Sequence, residues 1–314
     1  MAKKDIHYYG TGAGLMLAGY DALTAATIAR FAQFVDDLNS DGHLVLEDEQ
    51  VLHWRRTAHK GMDYANLAEM RASDVWIFHF PPGRHGWATE PVGVNCYLSL
   101  IDFDIDSESR MGLAILGILA HVFFDSHAHQ GFMAIAHEDN DIEDLEVLIP
   151  KQNFAEKLIP LFGSGVVETV HVPGHGAVLS LPDRVNALFK YTRRGERIVR
   201  DNRLIYRGAF ADFIKANVIP GSKPMINLEM LALKSFWDGM IDAVDEADAD
   251  EYLETACGSW RRGFRQGIFG DAVEFPEYTE PQPGDPDFIA FVRAAGTIKT
   301  LYKCKLIPAR GLVY

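Results

Sequence analysis

Cysteines and long apolar runs are both scarce in this sequence. The 314 residues include three cysteines, Cys96, Cys257 and Cys304, which lie far apart. An odd number of widely spaced cysteines argues against a disulfide framework and against a cysteine-ligated zinc site, and it is typical of a reducing compartment. The longest apolar run, near residues 111–120, is too short to cross a bilayer. We therefore expect no transmembrane segment.

Positive charge is scarce as well. The 30 lysines and arginines are outnumbered by 44 aspartates and glutamates, which gives a formal net charge of −14. A protein that reads duplex DNA needs a basic face, so this class is excluded. A phosphate ester stays compatible as a substrate, because bound metal cations would reverse the local field. No apolar stretch follows the two N-terminal lysines, so we expect a cytoplasmic protein, or one exported without a signal peptide.

Stretches of alternating apolar and polar residues are also rare, whereas apolar residues at helical spacing are common. This spacing predicts helices over 19–37, 47–71, 108–130, 225–247, 249–268 and 287–303, and a further helix that begins near Pro182. We therefore predict a mainly α fold, a multi-helix single domain over residues 1–274 with a metal site among its helices. A C-terminal linker, helix and tail over residues 275–314 would pack on this domain.

Polar side chains are concentrated at the end of the most apolar predicted helix, in HVFFDSHAHQGF at residues 121–132. Successive helical residues turn by about 100°, so His121, Asp125 and His129 form one stripe, whereas His127 points away from it. Such a stripe is costly to bury unless it is paired or bound to metal. Imidazole and carboxylate together suit zinc, iron or manganese. The alternative is a frayed helix end whose histidines bond to the backbone.

Other ligand-type residues are distributed along the chain. They are His7 in IHYYG, Asp36 and Asp37 in QFVDD, His79 in FHFPP, His171 and His175 in HVPGH, and Asp183 in LPDR. Each of them alone also fits an ordinary structural role. An aspartate in the first turn of a helix, for example, is stabilised by the helix dipole.

The order of these residues resembles that of the zinc-dependent phospholipase C and single-strand nuclease superfamily, whose members are all-α enzymes with clustered zinc ions. HYYGTGAGLMLAGY, AQFVDD, HVFFDSHAHQGF and GHGAVLSLPDR are more closely similar to a family of uncharacterised bacterial proteins. The resemblance implies two or three zinc ions, with iron or manganese as alternatives. The implied metal ligands are His7, Asp36, Asp37, His79, His121, Asp125, His129, His175 and Asp183, with His127 or His171 as substitutes.

The function that this resemblance implies is a metal-dependent hydrolase of the phosphoesterase type. A metal-activated water would attack a small-molecule or lipid phosphate ester, either a phosphodiester or a phospholipid. Asp125 would bridge two metals, and Asp36 or Asp37 would accept the proton of the water. Two alternatives stay open: a non-haem iron oxygenase, because the same ligand types serve iron, and a non-catalytic protein whose metal cross-links helices.

A second metal motif overlaps the first predicted helix at residues 37–48, DLNSDGHLVLED. Asp37, Asn39, Asp41, Gly42 and Asp48 occupy positions 1, 3, 5, 6 and 12 of an EF-hand-type loop, in which oxygen ligands wrap calcium around a sharp turn at glycine. The alternative is a plain turn, since Asn, Asp and Gly favour turns without any ion.

Overall fold

Helices form most of the described part of the chain. The computed structural model describes residues 4–58, 75–83, 88–92, 105–106, 108–134, 137–149, 178, 181–220, 227–245 and 251–309. A π-helix, Asp5–Gly10, leads directly into the first α-helix. The α-helices are α1 (Thr11–Leu17), α2 (Ala22–Asp37), α3 (Trp76–His79), α4 (Arg110–Ala128), α5 (Asn202–Asn217), α6 (Asn227–Asp245), α7 (Glu251–Arg265) and α8 (Pro286–Ala309).

Two antiparallel sheets accompany the helices, so the prediction of a mainly α fold is wrong and the fold is mixed α and β. A two-stranded sheet pairs β1 (Gly42–Val45) with β2 (Val51–Trp54). A three-stranded sheet has the order β3–β4–β5, made of Glu143–Ile149, Leu188–Arg193 and Glu196–Asp201. Short 3₁₀ turns lie at Glu138–Asn140 and Leu181–Asp183.

The hairpin of β1 and β2 replaces the beginning of the helix predicted over 47–71. Its inward-facing and outward-facing residues alternate, since Leu52 and Trp54 are half-buried and Val51 and His53 are exposed. Four residues are too few for this period-two pattern to stand out from a helical one. Residues 59–71 of the predicted helix lie outside the described residues.

The hairpin of β4 and β5 replaces the helix predicted from Pro182. Phe189 and Tyr191 are buried on one face of β4, which is the period of a half-buried strand. Arg194 and Gly195 form the two-residue connection, and both have positive φ, 51° and 78°. A two-residue hairpin turn with both residues at positive φ matches the right-handed twist of its strands. Only the 3₁₀ turn at Leu181–Asp183 remains of the predicted helix.

Helix α4 lies at the centre of the fold. It packs against α2, α3, α5, α8 and the π-helix, and it separates two hydrophobic cores. Ser109 caps its start by accepting a hydrogen bond from the backbone N–H of Gly112 at 3.0 Å. By length and apolar composition α4 qualifies as a membrane span, but 67% of it is buried inside the fold. Core packing thus accounts for its composition.

Helix α8 closes the second core after an extended segment. Phe288 and Phe291 are buried against Phe34 of α2, with ring centroids 5.8 and 4.7 Å apart. Asp287, near the start of the helix, bonds to both Arg30 and Arg110. The last helix therefore shares its core with α2 and α4. The division of the chain at residue 274 stays a prediction.

Candidate metal centre

Helix α4 and its C-cap residue, His129, supply three of the predicted ligands from one buried stripe. His121, Asp125 and His129 all have no solvent exposure. The His121 ring lies at the Asp125 carboxylate, with Nε2 3.2 Å from Oδ2. His127 does not join them, because its Nδ1 donates to the carbonyl oxygen of Phe123 one turn earlier at 2.9 Å. The i, i+4, i+8 spacing thus separates the cluster from His127 as the helical geometry requires.

The π-helix brings His7 to the same carboxylate. His7 Nε2 lies 3.1 Å from Asp125 Oδ1, and its ring stacks on that of His121 with centroids 3.8 Å apart. Single-turn π-helices recur at functional sites, since the wider turn changes the direction of a side chain. His7 is fully buried, and its Nδ1 has no hydrogen-bond partner among the described residues.

The end of α2 places Asp36 opposite Asp125. Asp36 Oδ2 lies 3.8 Å from His7 Nε2, and Oδ1 lies 3.9 Å from both His79 Nδ1 and His121 Nε2. Asp37 points elsewhere and accepts hydrogen bonds from Tyr278 and Gln33. Of the two adjacent aspartates, Asp36 alone faces the histidines.

Helix α3 ends in His79, which completes the cluster around Asp125. Its Nδ1 lies 2.8 Å from Asp125 Oδ2 and 3.2 Å from His121 Nε2. Two groups of three ligand atoms have all their members within 4.8 Å of one another. They are His7, Asp36 and His121, and His79, His121 and Asp125. Two ligands at 2.0–2.1 Å from a tetrahedral zinc are about 3.3 Å apart. The separations of 2.8–3.2 Å among His79, His121 and Asp125 are close to this value, and those of Asp36 are longer.

The histidine rings are oriented by main-chain carbonyl oxygens. His79 Nε2 donates to Thr57 O at 2.9 Å, His121 Nδ1 to Ala32 O at 2.9 Å, and His129 Nδ1 to His79 O at 2.7 Å. A carbonyl oxygen only accepts, so each of these nitrogens carries the hydrogen. In a neutral ring the other nitrogen is then an acceptor, and in all three it faces a carboxylate. Metal-ligating histidines have this second bond to a carbonyl or carboxylate as a rule.

His129 and Asp183 form a neighbouring pair. His129 Nε2 lies 2.9 Å from Asp183 Oδ1, while its Nδ1 is 3.7 Å from Asp125 Oδ2. Both side chains are fully buried, and the Phe80 ring stacks on His129 with centroids 4.6 Å apart. The pair therefore adjoins the Asp125 cluster and extends it toward the 3₁₀ turn at Leu181–Asp183.

Arg200 and Asn202 hold this pair in place. Arg200 donates to the carbonyl oxygens of residues 127, 128 and 130, at the C-terminal end of α4 and just after it. A cation at a helix C-terminus is stabilised by the helix dipole. Asn202 Nδ2 donates to the carbonyl oxygens of residues 181, 182 and 184, on either side of Asp183. The Arg200 Nε–H also donates to Asn202 Oδ1 at 3.1 Å. One buried unit thus connects the two elements that carry His129 and Asp183.

A second buried connection involves Tyr252 of α7. Its hydroxyl donates to Asp5 Oδ2 at 3.0 Å and accepts from the backbone N–H of Val185 at 2.8 Å. Asp5 lies two residues before His7, and Val185 two residues after Asp183. Tyr252 therefore sets the spacing between the π-helix and the turn that carries Asp183. No pattern in the sequence marks Arg200, Asn202 or Tyr252 as supports, because their partners are backbone groups or distant residues.

The electrostatic environment of the cluster differs between its two carboxylates. Burial raises the pKa of Asp36 well above its ordinary value against the attraction of His79, and the charge of Asp125 raises it further. Burial also acts to raise the pKa of Asp125, but the neighbouring imidazoles of His129, His121 and His7 outweigh it and hold that pKa well below the usual range. Burial lowers the pKa of His121 to about 3. The two carboxylates therefore favour different protonation states.

The remaining predicted ligands do not reach the cluster or are not described. Asp37 bonds to Tyr278, and His171 and His175 lie outside the described residues. In the EF-hand-type segment, Asp41 bonds to Arg55 and residues 42–45 form β1. The oxygen atoms of this segment thus have different partners, and its role in binding calcium stays a prediction.

Comparisons with known proteins identify a family whose function is unknown. The model of DUF6765, described as a family of unknown function, matches residues 2–284. No curated protein and no solved structure matches the chain. The resemblance to the zinc-dependent phospholipase C and nuclease superfamily therefore stays a prediction.

Proposed function

The chain belongs to DUF6765, a family of unknown function, and from the chemistry of its buried cluster we propose that it is a metal-dependent hydrolase of phosphate esters. His7, Asp36, His79, His121 and Asp125 would hold divalent cations, with zinc preferred and manganese or iron as alternatives. His129 and Asp183 would supply adjacent ligands.

One observation carries this proposal. The ring nitrogens of His79 and His121 that do not bond to the main chain both face Asp125 Oδ2, at 2.8 and 3.2 Å. In neutral rings these contacts join lone pairs to a carboxylate, which is repulsive unless a cation lies between them. Burial keeps His121 neutral, since it lowers the pKa of this ring to about 3. A bound metal cation removes the conflict at every one of these atoms.

The two carboxylates suit different tasks in hydrolysis. Asp125 presents Oδ1 to His7 and Oδ2 to His79 and His121, which is the arrangement that a bridging ligand needs. Asp36 has an Oδ1 without a hydrogen-bond partner among the described residues, so this oxygen is available to accept a proton from a water held beside it. A bound divalent cation supplies an acidic water and neutralises charge on the phosphoryl oxygens.

Elemental analysis of protein purified without chelator or affinity metal tests the metal site. We expect divalent metal in at least stoichiometric amount. His121→Ala and Asp125→Asn remove it, because both side chains lie in the centre of the cluster. His127→Ala is the matched control and retains the metal, since His127 lies on the same helix and bonds to Phe123 O. Equal metal content in all three variants would contradict the site.

Hydrolysis of bis-nitrophenyl phosphate tests the activity of the metal-loaded protein. The activity should disappear with chelator and return with Zn²⁺ or Mn²⁺. Asp36→Asn should lower the rate by 10²–10⁴-fold, the usual contribution of a general base, and leave part of the metal in place. A metal-loaded protein that hydrolyses no phosphodiester, phosphomonoester or phospholipid would defeat the phosphoesterase proposal.

The burial of the cluster favours a second candidate, a non-catalytic metal that cross-links the helices. His7, His121 and Asp125 have no solvent exposure, and a closed site stabilises the fold without activating water. For this candidate, chelation lowers the melting temperature and no ester is hydrolysed under any metal condition. Hydrolysis that depends on Asp36 would exclude it.

A further inference from the structure

The exposed face of the hairpin of β1 and β2 carries two histidines directly opposite each other. His43 pairs with His53 in the antiparallel register, and both side chains are exposed. Their ring centroids lie 5.9 Å apart, with an angle of 41° between the ring planes. Cross-strand partners have Cβ atoms about 4.5–5.5 Å apart, so the backbone itself keeps these two imidazoles together.

The register that sets this pair is fixed at both ends of the hairpin. At the base, Asp41 accepts hydrogen bonds from the Arg55 guanidinium and from the backbone N–H of Arg56, both at 2.8 Å. At the tip, the backbone N–H of residue 46 donates to the carbonyl oxygen of residue 50 at 2.8 Å. A slip of one residue would put the two histidines on opposite faces. The inner face of the hairpin packs on the second core, which opposes such a slip.

The ring nitrogens of this pair are available to a ligand. Within the part of the chain that the structure describes, no group forms a hydrogen bond or an ion pair with the ring of His43 or His53. The other described histidines each bond through at least one ring nitrogen, to a carboxylate, a carbonyl oxygen or a backbone N–H. A neutral imidazole has one nitrogen that accepts, and this nitrogen is a metal ligand.

Two imidazoles at this spacing can bind one divalent transition cation. Nitrogens that share an ion at about 2.0–2.1 Å lie roughly 2.8–3.4 Å apart in square-planar or tetrahedral geometry. Exposed rings turn about their side-chain bonds, so centroids 5.9 Å apart allow this separation without a change in the backbone. Imidazole suits zinc, copper and nickel, whereas Ca²⁺ and Mg²⁺ require oxygen ligands. Val45 and Val51, the next pair on this face, are 61% and 49% exposed and provide no ligand atom.

We propose that His43 and His53 form a second metal site, an open site on the surface for one divalent transition cation. Copper(II) should bind more tightly than Ni²⁺ or Zn²⁺, in the usual order for nitrogen ligands. Water would complete the coordination. The two strands run from the end of α2 to Thr57, whose carbonyl oxygen bonds to His79, so a cation here would cross-link the strands beside the buried cluster. This assignment does not depend on the proposed function.

Electron paramagnetic resonance of bound Cu²⁺ tests the assignment, because coupling to nitrogen counts the imidazole ligands. The protein is saturated with Zn²⁺, gel-filtered and given one equivalent of copper sulfate per chain. We expect one Cu²⁺ per chain with two nitrogen ligands. His43→Asn and His53→Asn should each weaken binding at least about tenfold, since a single imidazole loses the advantage of the linked pair. His137→Asn, at a partly exposed histidine outside the hairpin, is the control and should keep the two-nitrogen signal.

The variant His121→Ala separates this site from the buried cluster, of which His121 is a member. It should keep the two-nitrogen copper signal whatever its zinc content. If it also retains as much zinc as the wild type while His43→Asn loses copper, the proposed buried centre fails and the surface site stands. Equal copper binding in the wild type, His43→Asn and His53→Asn would overturn the surface site. A single nitrogen ligand in the wild type, or loss of the signal in His121→Ala but not in His43→Asn, would overturn it as well.

Discussion

Each of three histidines in the candidate metal centre is fixed by one bond to the main chain, so its remaining nitrogen has a set direction. Ala32 O, Thr57 O and His79 O provide these bonds. A ring held in this way cannot rotate to avoid the carboxylate that it faces. The stability of the metal-free protein therefore depends on the protons that these buried groups carry.

The pH dependence of the metal-free protein follows from His121. Burial lowers its pKa to about 3 in the folded state, whereas an unfolded histidine has a pKa near 6.5. Between these values the unfolded state binds the extra proton, so stability falls as the pH falls below about 6.5. We expect a loss of about 2 kcal/mol between pH 7.5 and pH 5 from this residue alone. Urea unfolding of chelator-treated protein at the two pH values measures it.

Two variants assign this loss to its source. Burial also lowers the pKa of His127, which acts in the same direction, so the wild-type change alone is not diagnostic. His121→Asn should remove most of the loss attributed to His121. His43→Asn, on the exposed face of the hairpin, should leave the pH dependence as it is. An unchanged dependence in His121→Asn would show that this ring is not a buried neutral histidine.

The stripe on α4 could be predicted from sequence because its members share one helix. His121, Asp125 and His129 are fixed relative to one another by 3.6 residues per turn. The supports could not be predicted in this way. Arg200 and Asn202 act on backbone carbonyls 18–73 residues away in sequence, and no side-chain pattern encodes such a contact.

The crossing of α2 and α4 determines the distance between Asp36 and Asp125. Gly117 lies at this crossing, where a Cβ would come within 2.5 Å of both the carbonyl oxygen of Ile28 and the Cβ of Phe31. The absence of a side chain lets the two helices approach. Because the contact involves a helix backbone, a larger residue has to move α2 as a whole.

Gly117→Ala therefore tests the role of this crossing. We expect a loss of about 1–3 kcal/mol, typical of overpacking, and weaker metal binding as Asp36 moves away from the histidines. Gly208→Ala in α5 is the matched control, because nothing lies within 4 Å of the added Cβ. It should be neutral or stabilising by up to about 1 kcal/mol, since alanine is the better helix former. Thermal or urea unfolding and metal titration measure both; equal effects would contradict the crossing argument.

Strands were harder to predict than helices in this chain. The long helices α2, α4, α6, α7 and α8 repeat their apolar spacing over several turns, and the predicted ranges overlap all of them. Helix α5 (Asn202–Asn217) is as long as α2 but was not predicted. Strands β1 and β2 have four residues each. In β4, Lys190 and Thr192 alternate with Phe189 and Tyr191, whereas β5 has no such alternation. The Arg194–Gly195 connection also lacks the Asn-Gly or Asp-Gly sequence that usually marks such a turn.

On the scale of the whole molecule, the hydrophobic core extends beyond the residues that match the family. The family model ends at residue 284, whereas α8 begins at Pro286 and contributes Phe288, Phe291 and Ile298 to the core shared with α2 and α4. The fold of this chain therefore depends on a helix outside the matched region. The helix that carries His121 and Asp125 packs directly on it.

Removal of the Phe291 side chain tests this dependence. Phe291 is fully buried and contacts both Phe31 and Phe34, so Phe291→Ala should cost about 3–5 kcal/mol. Arg293→Ala, on the exposed side of the same helix, should change stability by less than about 0.5 kcal/mol. Urea unfolding measures both. A loss below about 1 kcal/mol in Phe291→Ala would show that α8 is not part of the core.

The proposed metal ligands lie far apart in the sequence, and this separation affects the order in which the chain folds. The contacts of Asp125 with His7 and His79 close intervals of 118 and 46 residues, and the contact of His129 with Asp183 closes one of 54. Each interval loses chain entropy before any contact across it stabilises the chain. We therefore expect the centre to be assembled late, after the rate-limiting barrier. A cation bound there would slow unfolding and leave the rate of folding nearly unchanged, so it would protect the protein kinetically.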